Sequence, residues 1–485
     1  MYIASTNLKN MKTKSLLFIL LLLITQLAVA QITFQHHYGG IEIDAGSSVL
    51  QTADGGYIVA GLTKSYGAGG RDVFIIKTNE YGDTLWSKTY GGLGDDEGHA
   101  IQKTNDNGYI ITGSTASFGS GGYDVYLIKT DENGDTLWTK TFGGAQDEDG
   151  WSVQQTNDNG FIIVGGTLSF GNNIADIYLI KTDENGDTIW TKTFGERNFN
   201  SGASVRQTND NGYVIVGSTY NNGDSEKNAI YFIKTDENGD TIWTKTFGEM
   251  IYNYDAQAIQ QTNDNGYIIV GNTTNNSSGG IDALLIKTDI NGNIIWSKTY
   301  GGTNDDWGNS VQQTNDNGYI ISGSTKSFGS GGYDVYLIKT DENGDTLWTK
   351  TFGGTGDDGG GAVQQTNDNG YIISGSTTSF GNYLDVFLIK TDENGYAGFE
   401  NSFSTQTNFN LFPNPCSGIF TIQIKNVDNK DISVEIINQI GQTVYSKPMN
   451  NTVSEQIDLA DVSKGIYFVK IIGSNINITE KVIIY

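Results

Sequence analysis

The sequence is poor in cysteine, histidine and proline, and each shortage excludes a class of protein. Its 485 residues include one cysteine, Cys416, so no disulfide can form within the chain. The three histidines, His36, His37 and His99, offer little material for a catalytic triad or a histidine-rich metal site. No phosphate-binding loop, dinucleotide fingerprint or Cys/His metal motif occurs either. We therefore predict no catalytic residue, no cofactor and no metal.

Basic residues are also scarce. Lysine and arginine number 29 against 55 aspartates and glutamates, which gives a formal net charge of −26 at pH 7. Such a charge repels nucleic acid and anionic membrane surfaces, and it favours solubility outside a cell. We expect no nucleic-acid partner.

The N-terminal residues have the organisation of a targeting segment. Lys12 and Lys14 precede an apolar run over 16–24, and Ala28-Val29-Ala30 follows. A positive region, an apolar core and a small-x-small site are typical of a secretory signal peptide. The apolar core is short for a membrane span, and no stop-transfer charges follow it. The sequence predicts a signal peptide over 1–30, cleaved after Ala30.

A short stretch, Gln-Thr-Asn-Asp-Asn-Gly-Tyr-Ile-Ile, recurs with small changes through residues 31–399. The aromatic residue after the glycine returns at five intervals of 52 residues and one of 54, at Tyr57, Tyr109, Phe161, Tyr213, Tyr267, Tyr319 and Tyr371. A fixed period of this size indicates a repeat architecture.

One repeat, from Gly150 to Gly195, contains four short strand patterns and no helix pattern. Asn157-Asp-Asn-Gly160 and Asp183-Glu-Asn-Gly186 are tight hairpin turns, because Asn and Gly accept the positive φ that such turns require. A longer loop joins the middle strands. Four antiparallel strands in a period of about 50 residues are typical of a β-propeller blade rather than a solenoid coil.

The two ends of the repeat region complement each other. The fourth strand carries a tryptophan in six repeats, and the seventh repeat has no such strand. The segment from Ile32 to Gly40 imitates it, so we predict that the N-terminal strand completes the last blade. Closure of the ring removes an exposed sheet edge. The predicted fold is all-β: a seven-bladed β-propeller over 31–399, followed by a small β-sandwich.

Acidic pairs recur in the loops between blades, as in Asp95-Asp96 and Asp305-Asp306. A carboxylate pair could hydrolyse a glycosidic bond, but an aspartate in a glycine-rich loop also fixes the turn by accepting backbone N–H groups. Because the pairs are copied around the ring, we favour the structural interpretation. The motif Asp131-Glu-Asn-Gly-Asp135 resembles a calcium loop, yet Phe142 stands where the bidentate glutamate is required.

Blades four and five depart from the repeat in both long loops of one face. The departures bring in one arginine and three aromatic residues, and two further tryptophans follow acidic loops elsewhere. Loop drift without function is the alternative explanation. The candidate ligand-binding residues are Arg197, Phe199, Tyr252, Tyr254, Trp151 and Trp307.

The composition changes near residue 400, since all three prolines lie beyond it. We predict a linker over 400–408 and a β-sandwich of about seven strands over 409–485. Residues 409–485 closely resemble the type A C-terminal sorting domain of the type IX secretion system. The residues that carry this resemblance are Pro413, Asn414, Pro415, Gly418, Gly441, Gly465, Tyr467 and Lys481.

The resemblance implies entry into the periplasm and export across the outer membrane, with the secretion machinery as a partner. Removal of the domain, followed by surface attachment or release, would be expected. The repeats resemble propeller repeats of the Gly-Gly-x-x-Asp-Asp…Gln-Thr-x-Asp-Gly-Gly-Tyr type, which often precede such domains. That likeness implies architecture and no settled activity, although some relatives bear endoglucanase-like names.

We therefore expect a secreted or surface-displayed monomer that acts in binding or adhesion, with glycan as the leading ligand class. A secreted polysaccharide hydrolase is the first alternative, and a purely structural surface protein is the second. A unique pair of inward carboxylates would favour the hydrolase, whereas a concave aromatic patch without such a pair would favour the binder.

Overall fold

The computed structural model divides the chain, between Gly398 and Phe399, into two compact units. The first is described over 31–171, 175–195, 199–220, 228–248, 252–275, 279–381 and 383–398. The second is described over 409–412, 416–424, 433–438, 442–448, 454–459, 461–473 and 476–484. These residues form strands, turns and loops, and the described segments contain no helix that could cross a membrane.

The described residues of the first unit form 28 strands in seven four-stranded antiparallel sheets. Strands of the first four complete blades are β2 Asp44–Gln51, β3 Tyr57–Thr63, β4 Asp72–Thr78, β5 Thr84–Tyr90, β6 Asp96–Lys103, β7 Tyr109–Thr115, β8 Asp124–Thr130, β9 Thr136–Phe142, β10 Glu148–Gln155, β11 Phe161–Thr167, β12 Asp176–Thr182, β13 Thr188–Phe194, β14 Phe199–Gln207, β15 Tyr213–Tyr220, β16 Asn228–Thr235 and β17 Thr241–Phe247.

The remaining blades follow the same order. Their strands are β18 Tyr254–Gln261, β19 Tyr267–Thr273, β20 Asp282–Thr288, β21 Ile294–Tyr300, β22 Asp306–Gln313, β23 Tyr319–Thr325, β24 Asp334–Thr340, β25 Thr346–Phe352, β26 Asp358–Gln365, β27 Tyr371–Thr377 and β28 Asp385–Thr391, with β1 Phe34–Tyr38 completing the seventh blade.

The predicted closure is confirmed. Strand β1 pairs antiparallel with β28, with Phe34 opposite Lys390 and Tyr38 opposite Val386. The last sheet therefore has the order β1-β28-β27-β26, and the ring is closed by the N-terminal strand. The all-β, seven-bladed prediction is correct.

Each tight turn between the first two strands is held by a copied set of polar contacts. In the third blade, Asn159 has a φ of 66°, and the Asp158 carboxylate accepts the Gly160 N–H at 3.1 Å. Lys181 from the third strand places Nζ 2.8 Å from Asp158 and donates to the Thr182 carbonyl at 2.8 Å. The seven equivalent pairs are Lys77–Asp54, Lys129–Asp106, Lys181–Asp158, Lys234–Asp210, Lys287–Asp264, Lys339–Asp316 and Lys390–Asp368.

The hydrophobic core lies between neighbouring blades. Ile110 and Leu127 of the second blade form one buried cluster with Phe161 and Ile163 of the third. Trp138 covers the outer side, with its ring 5.9 Å from that of Phe161 in an edge-on contact. Burial of one such side chain stabilises the fold by about 1.5–3 kcal/mol, so each repeat depends on its neighbour.

The second unit is a small sandwich of two antiparallel sheets, ordered β29-β30-β33 and β32-β31-β34-β35. Phe420 and Ile422 of one sheet share a buried core with Val434, Ile436 and Val469 of the other. Its strands are β29 Phe409–Phe412, β30 Ile419–Ile424, β31 Ser433–Asn438, β32 Thr443–Pro448, β33 Ser454–Asp458, β34 Gly465–Gly473 and β35 Ile476–Ile484.

Candidate functional site

The first strand of every blade contains a β-bulge at the ring axis. In the second blade the pairing register shifts between Gly98 and Ala100, which leaves His99 without a cross-strand partner. Bulges of this kind redirect a side chain out of the sheet. The corresponding residues, which we call the bulge ring, are Ser47, His99, Trp151, Ala203, Gln257, Asn309 and Gly361.

The bulge ring lines a cavity of about 720 Å³ on the axis of the propeller, which we call the central cavity. Residues from all seven blades contribute to its wall. A volume of this size is typical of sites for small ligands or short stretches of a polymer.

The bulge ring varies from blade to blade, whereas the position before it is copied. Glycine precedes the bulge in every blade except the fifth, where Ala256 stands. A Cβ on Gly98 would lie 2.9 Å from the Gly61 carbonyl oxygen and 2.9 Å from Val73 Cγ1 of the preceding blade. Close packing between blades therefore fixes the glycine, while the next residue faces the open cavity and is free to differ.

Two members of the bulge ring form an aromatic platform. The rings of His99 and Trp151 stack with centroids 4.1 Å apart and an interplanar angle of 9°. His99 Nδ1 lies 3.0 Å from the Gly150 carbonyl, which can only accept a hydrogen bond. Trp151 is 44 % exposed, so much of its indole is accessible from the central cavity.

Two acidic residues flank this platform, and their environments shift their pKa values in opposite directions. Hydrogen bonding to His99, and then to Arg71, lowers the pKa of Glu97 to about 2 despite an opposing effect of burial. Burial raises the pKa of Asp149, which accepts a hydrogen bond from Ser114 at 3.2 Å. Glu97 is thus held ionised, while Asp149 takes up a proton more readily than an ordinary aspartate.

A third acid, Asp255, lines the central cavity itself. It accepts hydrogen bonds from Ser218 at 3.2 Å and from Asn228, and it lies 3.5 Å from the Tyr220 hydroxyl. Burial raises its pKa. Glu97, Asp149 and Asp255 occupy one register position, at which the other four blades carry Ala45, Ser201, Trp307 and Gly359.

The copied loop aspartates have structural roles, in agreement with the interpretation favoured from the sequence. Asp306 accepts the Gly302 N–H at 2.6 Å and the Ser327 hydroxyl at 2.7 Å. Its neighbour Asp305 accepts the Ile281 N–H at 2.9 Å. These bonds fix the loop that precedes β22.

The described members of the predicted ligand set occupy different positions in the propeller. Trp151 belongs to the bulge ring, but Trp307 lies at a paired position opposite Ser324 and is not part of the cavity wall. Phe199 starts β14, is 46 % exposed and contacts Tyr220 edge-on at 5.5 Å.

Of the other three predicted residues, Tyr252 and Tyr254 are described. Tyr254 occupies the register of the copied loop acid, and its ring approaches Gly248 and packs on the buried cluster between these blades. Its hydroxyl contacts Asn275, so much of its surface serves the fold. Tyr252 is partly exposed just before β18, and Arg197 lies outside the described residues.

Comparison with protein families identifies the second unit. Residues 410–485 match the family described as "Secretion system C-terminal sorting domain". The C-terminal unit is a type IX sorting domain. The protein is therefore exported, either secreted or displayed at the cell surface, and its C-terminal unit is the part that engages the secretion machinery.

Four of the eight predicted signal residues lie within the described segments of the sorting domain. Gly418 has a φ of 102° in the turn before β30, and Gly465 begins β34. Tyr467 is buried with its hydroxyl 2.5 Å from the Ser463 carbonyl, and Lys481 pairs with Phe468 across the sheet. The residues outside the described segments are Pro413, Asn414, Pro415 and Gly441, together with the predicted cleavage residue Ala30.

Two curated proteins are similar over parts of the chain. "Regulatory protein FlaEY" of Caulobacter vibrioides is 23 % identical over 333 residues, which cover 62 % of this chain and 32 % of that protein. An "Endo-acting ulvan lyase" of Formosa agariphila is 25 % identical over 170 residues, or 34 % of this chain and 30 % of that protein. The aligned parts thus span about a third of each curated relative.

Among solved structures, a mutant of puromycin hydrolase superposes on 79 % of this chain with a TM-score of 0.50 and 9 % identity, over 59 % of its own length. At this identity the likeness concerns the fold alone.

Proposed function

We propose that this exported propeller binds glycan in its central cavity, with Trp151 as the principal contact. The observation that carries the proposal is the exposed platform of Trp151 on His99, at the wall of a cavity whose other bulge residues vary. A flat aromatic face packs well on the apolar face of a sugar ring. The amides of Gln257 and Asn309 are donors and acceptors suited to sugar hydroxyls.

The domain organisation belongs to the same proposal. A signal peptide over 1–30 would be removed, the propeller over 31–399 would be the displayed part, and 400–408 would link it to the sorting domain at 409–485. We take the displayed protein to be a monomer whose repeats resemble propellers that accompany such domains. Its similarity to a protein named as an endo-acting ulvan lyase is in keeping with a ligand of this class.

Co-sedimentation of the exported protein with insoluble polysaccharides tests the proposal. We expect retention on at least one polymer without release of reducing ends. Trp151→Ala should lose most of this retention, because the platform is removed. Trp307→Ala is the matched control, since Trp307 breaks the repeat but lies outside the cavity wall. Retention on no polymer, or equal retention by Trp151→Ala, would contradict the proposal.

A polysaccharide hydrolase is the second candidate, and a specific observation favours it. Glu97 and Asp149 lie on adjacent blades beside the platform, and their pKa values are shifted apart, as in a pair that divides the roles of base and acid. Release of reducing ends by the wild-type protein, abolished in Asp149→Asn with binding retained, would establish this function. Retention without release would leave binding as the activity.

A further inference from the structure

Arg206 breaks a copied contact at the centre of the propeller. The corresponding residue is glutamine in five blades and leucine, Leu50, in one. Each of these glutamines accepts a backbone N–H from the next blade, as Gln154 does from Gln207 at 2.7 Å. The equivalent acceptors are Gln102, Gln260, Gln312 and Gln364.

An arginine side chain cannot make this contact, because a guanidinium group has donors and no acceptor. The joint between blades four and five therefore lacks a hydrogen bond that five other joints contain. Arg206 instead places a positive charge at the wall of the central cavity.

The guanidinium of Arg206 has few partners. Its Nη1 donates to the Val205 carbonyl at 2.7 Å and lies 3.3 Å from Ser152 Oγ. In the described part of the chain no carboxylate forms an ion pair with it, whereas Lys181 and its six equivalents each have an aspartate. Burial lowers the pKa of Arg206, with no opposing effect from a nearby acid.

The three acids near the cavity have other partners. Glu97 pairs with Arg71 and His99, and Asp149 accepts a hydrogen bond from Ser114. Asp255 accepts hydrogen bonds from Ser218 and Asn228 of blade four. Arg206 is half-buried at the cavity wall. The N–H groups of a guanidinium that make no protein contact match a carboxylate or a sulfate well. The guanidinium of Arg206 therefore carries a positive charge at the cavity wall, and no carboxylate among the described residues forms an ion pair with it.

We propose that the glycan bound in the central cavity is acidic, with a carboxylate or a sulfate ester recognised by Arg206. This inference rests on the proposed function, since it specifies the ligand class of the same site. The serine hydroxyls of Ser152 and Ser204, which also line the cavity, would add neutral hydrogen bonds to the anionic group.

The test uses the full exported protein and matched polymers. Alginate is compared with its carboxyl-reduced form and carrageenan with its desulfated form, so that the two sources of charge are distinguished, and laminarin serves as a neutral polymer. We expect the acidic member of at least one pair to be retained about ten-fold more tightly than its neutral form, as a charge-assisted hydrogen bond predicts. Arg206→Gln should remove this preference.

Arg206→Gln installs the residue that five blades carry, so the variant restores the acceptor and should fold normally. Leu50→Gln makes the same repair in the first blade and should leave the preference unchanged. Equal retention of acidic and neutral forms, retention of laminarin alone, or an unchanged preference in Arg206→Gln would overturn the inference while leaving glycan binding intact. Retention of no polymer would overturn the proposed function and this inference together.

Discussion

The tight turns and the bulge ring of the seven blades differ in how similar their residues are from copy to copy. At the tight turns, the buried lysine and its aspartate are present in every blade, from Lys77–Asp54 to Lys390–Asp368. In the bulge ring, the seven residues include histidine, tryptophan, glutamine and glycine. The lysine and aspartate of each pair belong to one blade, whereas the bulge residues face the cavity. Identity between copies therefore marks the scaffold, and difference marks the surface available for recognition.

The largest expected effect comes from breaking the copied region. Asp158→Ala should lower the free energy of unfolding by about 3 kcal/mol, because it leaves a buried ammonium group without its counter-ion. Lys181 is only 4 % exposed, while Asp158 is 58 % exposed, so the cost arises at the lysine. Chemical denaturation followed by tryptophan fluorescence would measure the change.

The control is a surface pair of similar geometry. Lys298 and Asp345 are 2.8 Å apart, and both are well exposed. Asp345→Ala should change the unfolding free energy by less than about 1 kcal/mol. Equal losses of unfolding free energy in Asp158→Ala and Asp345→Ala would contradict the claim that the copied turn pairs stabilise the fold more than surface pairs do.

A second prediction concerns the varied region. His99→Ser replaces the residue beneath Trp151 with the one that the first blade carries at Ser47. We expect glycan affinity to fall about ten-fold, since the indole loses its support and gains alternative rotamers. Calorimetric titration with a retained polysaccharide gives the affinity, and the denaturation midpoint should stay within error. A loss of stability equal to the loss of affinity would assign His99 to the scaffold instead.

A third prediction uses pH to separate two kinds of scaffold carboxylate. Burial, with a contribution from the charge of Asp358, raises the pKa of Asp334 to about 6. Burial opposes the shift at Asp54, but hydrogen bonds from Thr52 and Lys77 lower its pKa to about 2. An unfolded aspartate titrates near pH 4.

The signs of the two contributions are opposite. Asp334 binds its proton more tightly in the folded state, so its stabilisation is complete below about pH 4 and is lost as the pH rises to about 6. Asp54 stabilises the fold above about pH 4, and this contribution is lost as the pH falls towards about 2. In Asp334→Asn the decline in stability between pH 4 and 6 should be smaller than in the wild-type protein. Parallel stability profiles for the two proteins would contradict this assignment.

The smallest effect is expected for Phe199, the predicted aromatic ligand residue at the start of β14. Phe199→Ala should change the unfolding free energy by less than about 0.5 kcal/mol, because the side chain is half exposed. Glycan affinity should change less than two-fold if the ligand occupies the central cavity. A larger loss of affinity in Phe199→Ala than in Trp151→Ala would move the site to these loops.

Most of the fold could be predicted from the sequence because each repeat contains the residues that form its own turns. Asn159 and Gly160 fix one hairpin, and the 52-residue spacing indicates the blades. The closing strand was also visible, since Phe34 and Tyr38 lie in a segment that imitates the other outer strands. These signals involve residues close together in the chain, and such short-range patterns can be recognised from the sequence alone.

The candidate site was harder to predict. The bulge adds one residue to the first strand of every blade. Because all seven copies contain it, comparing their lengths does not reveal the bulge. The visible departures from the repeat are in the sequence around Arg197 and Tyr252, whereas Arg206 and Asp255 lie within strands β14 and β18. An alignment of the seven copies contains the missing signal: the bulge position and the position of Glu97 and Asp149 vary, although the position between them is glycine in six blades.

The most direct measurement is a crystal structure of the exported protein with an oligosaccharide from a polymer that it retains. We predict sugar density inside the central cavity, packed on the Trp151 indole and within hydrogen-bond distance of Arg206. Density on the outer loops of blades four and five, with an empty central cavity, would contradict the claim that the varied bulge ring is the functional site.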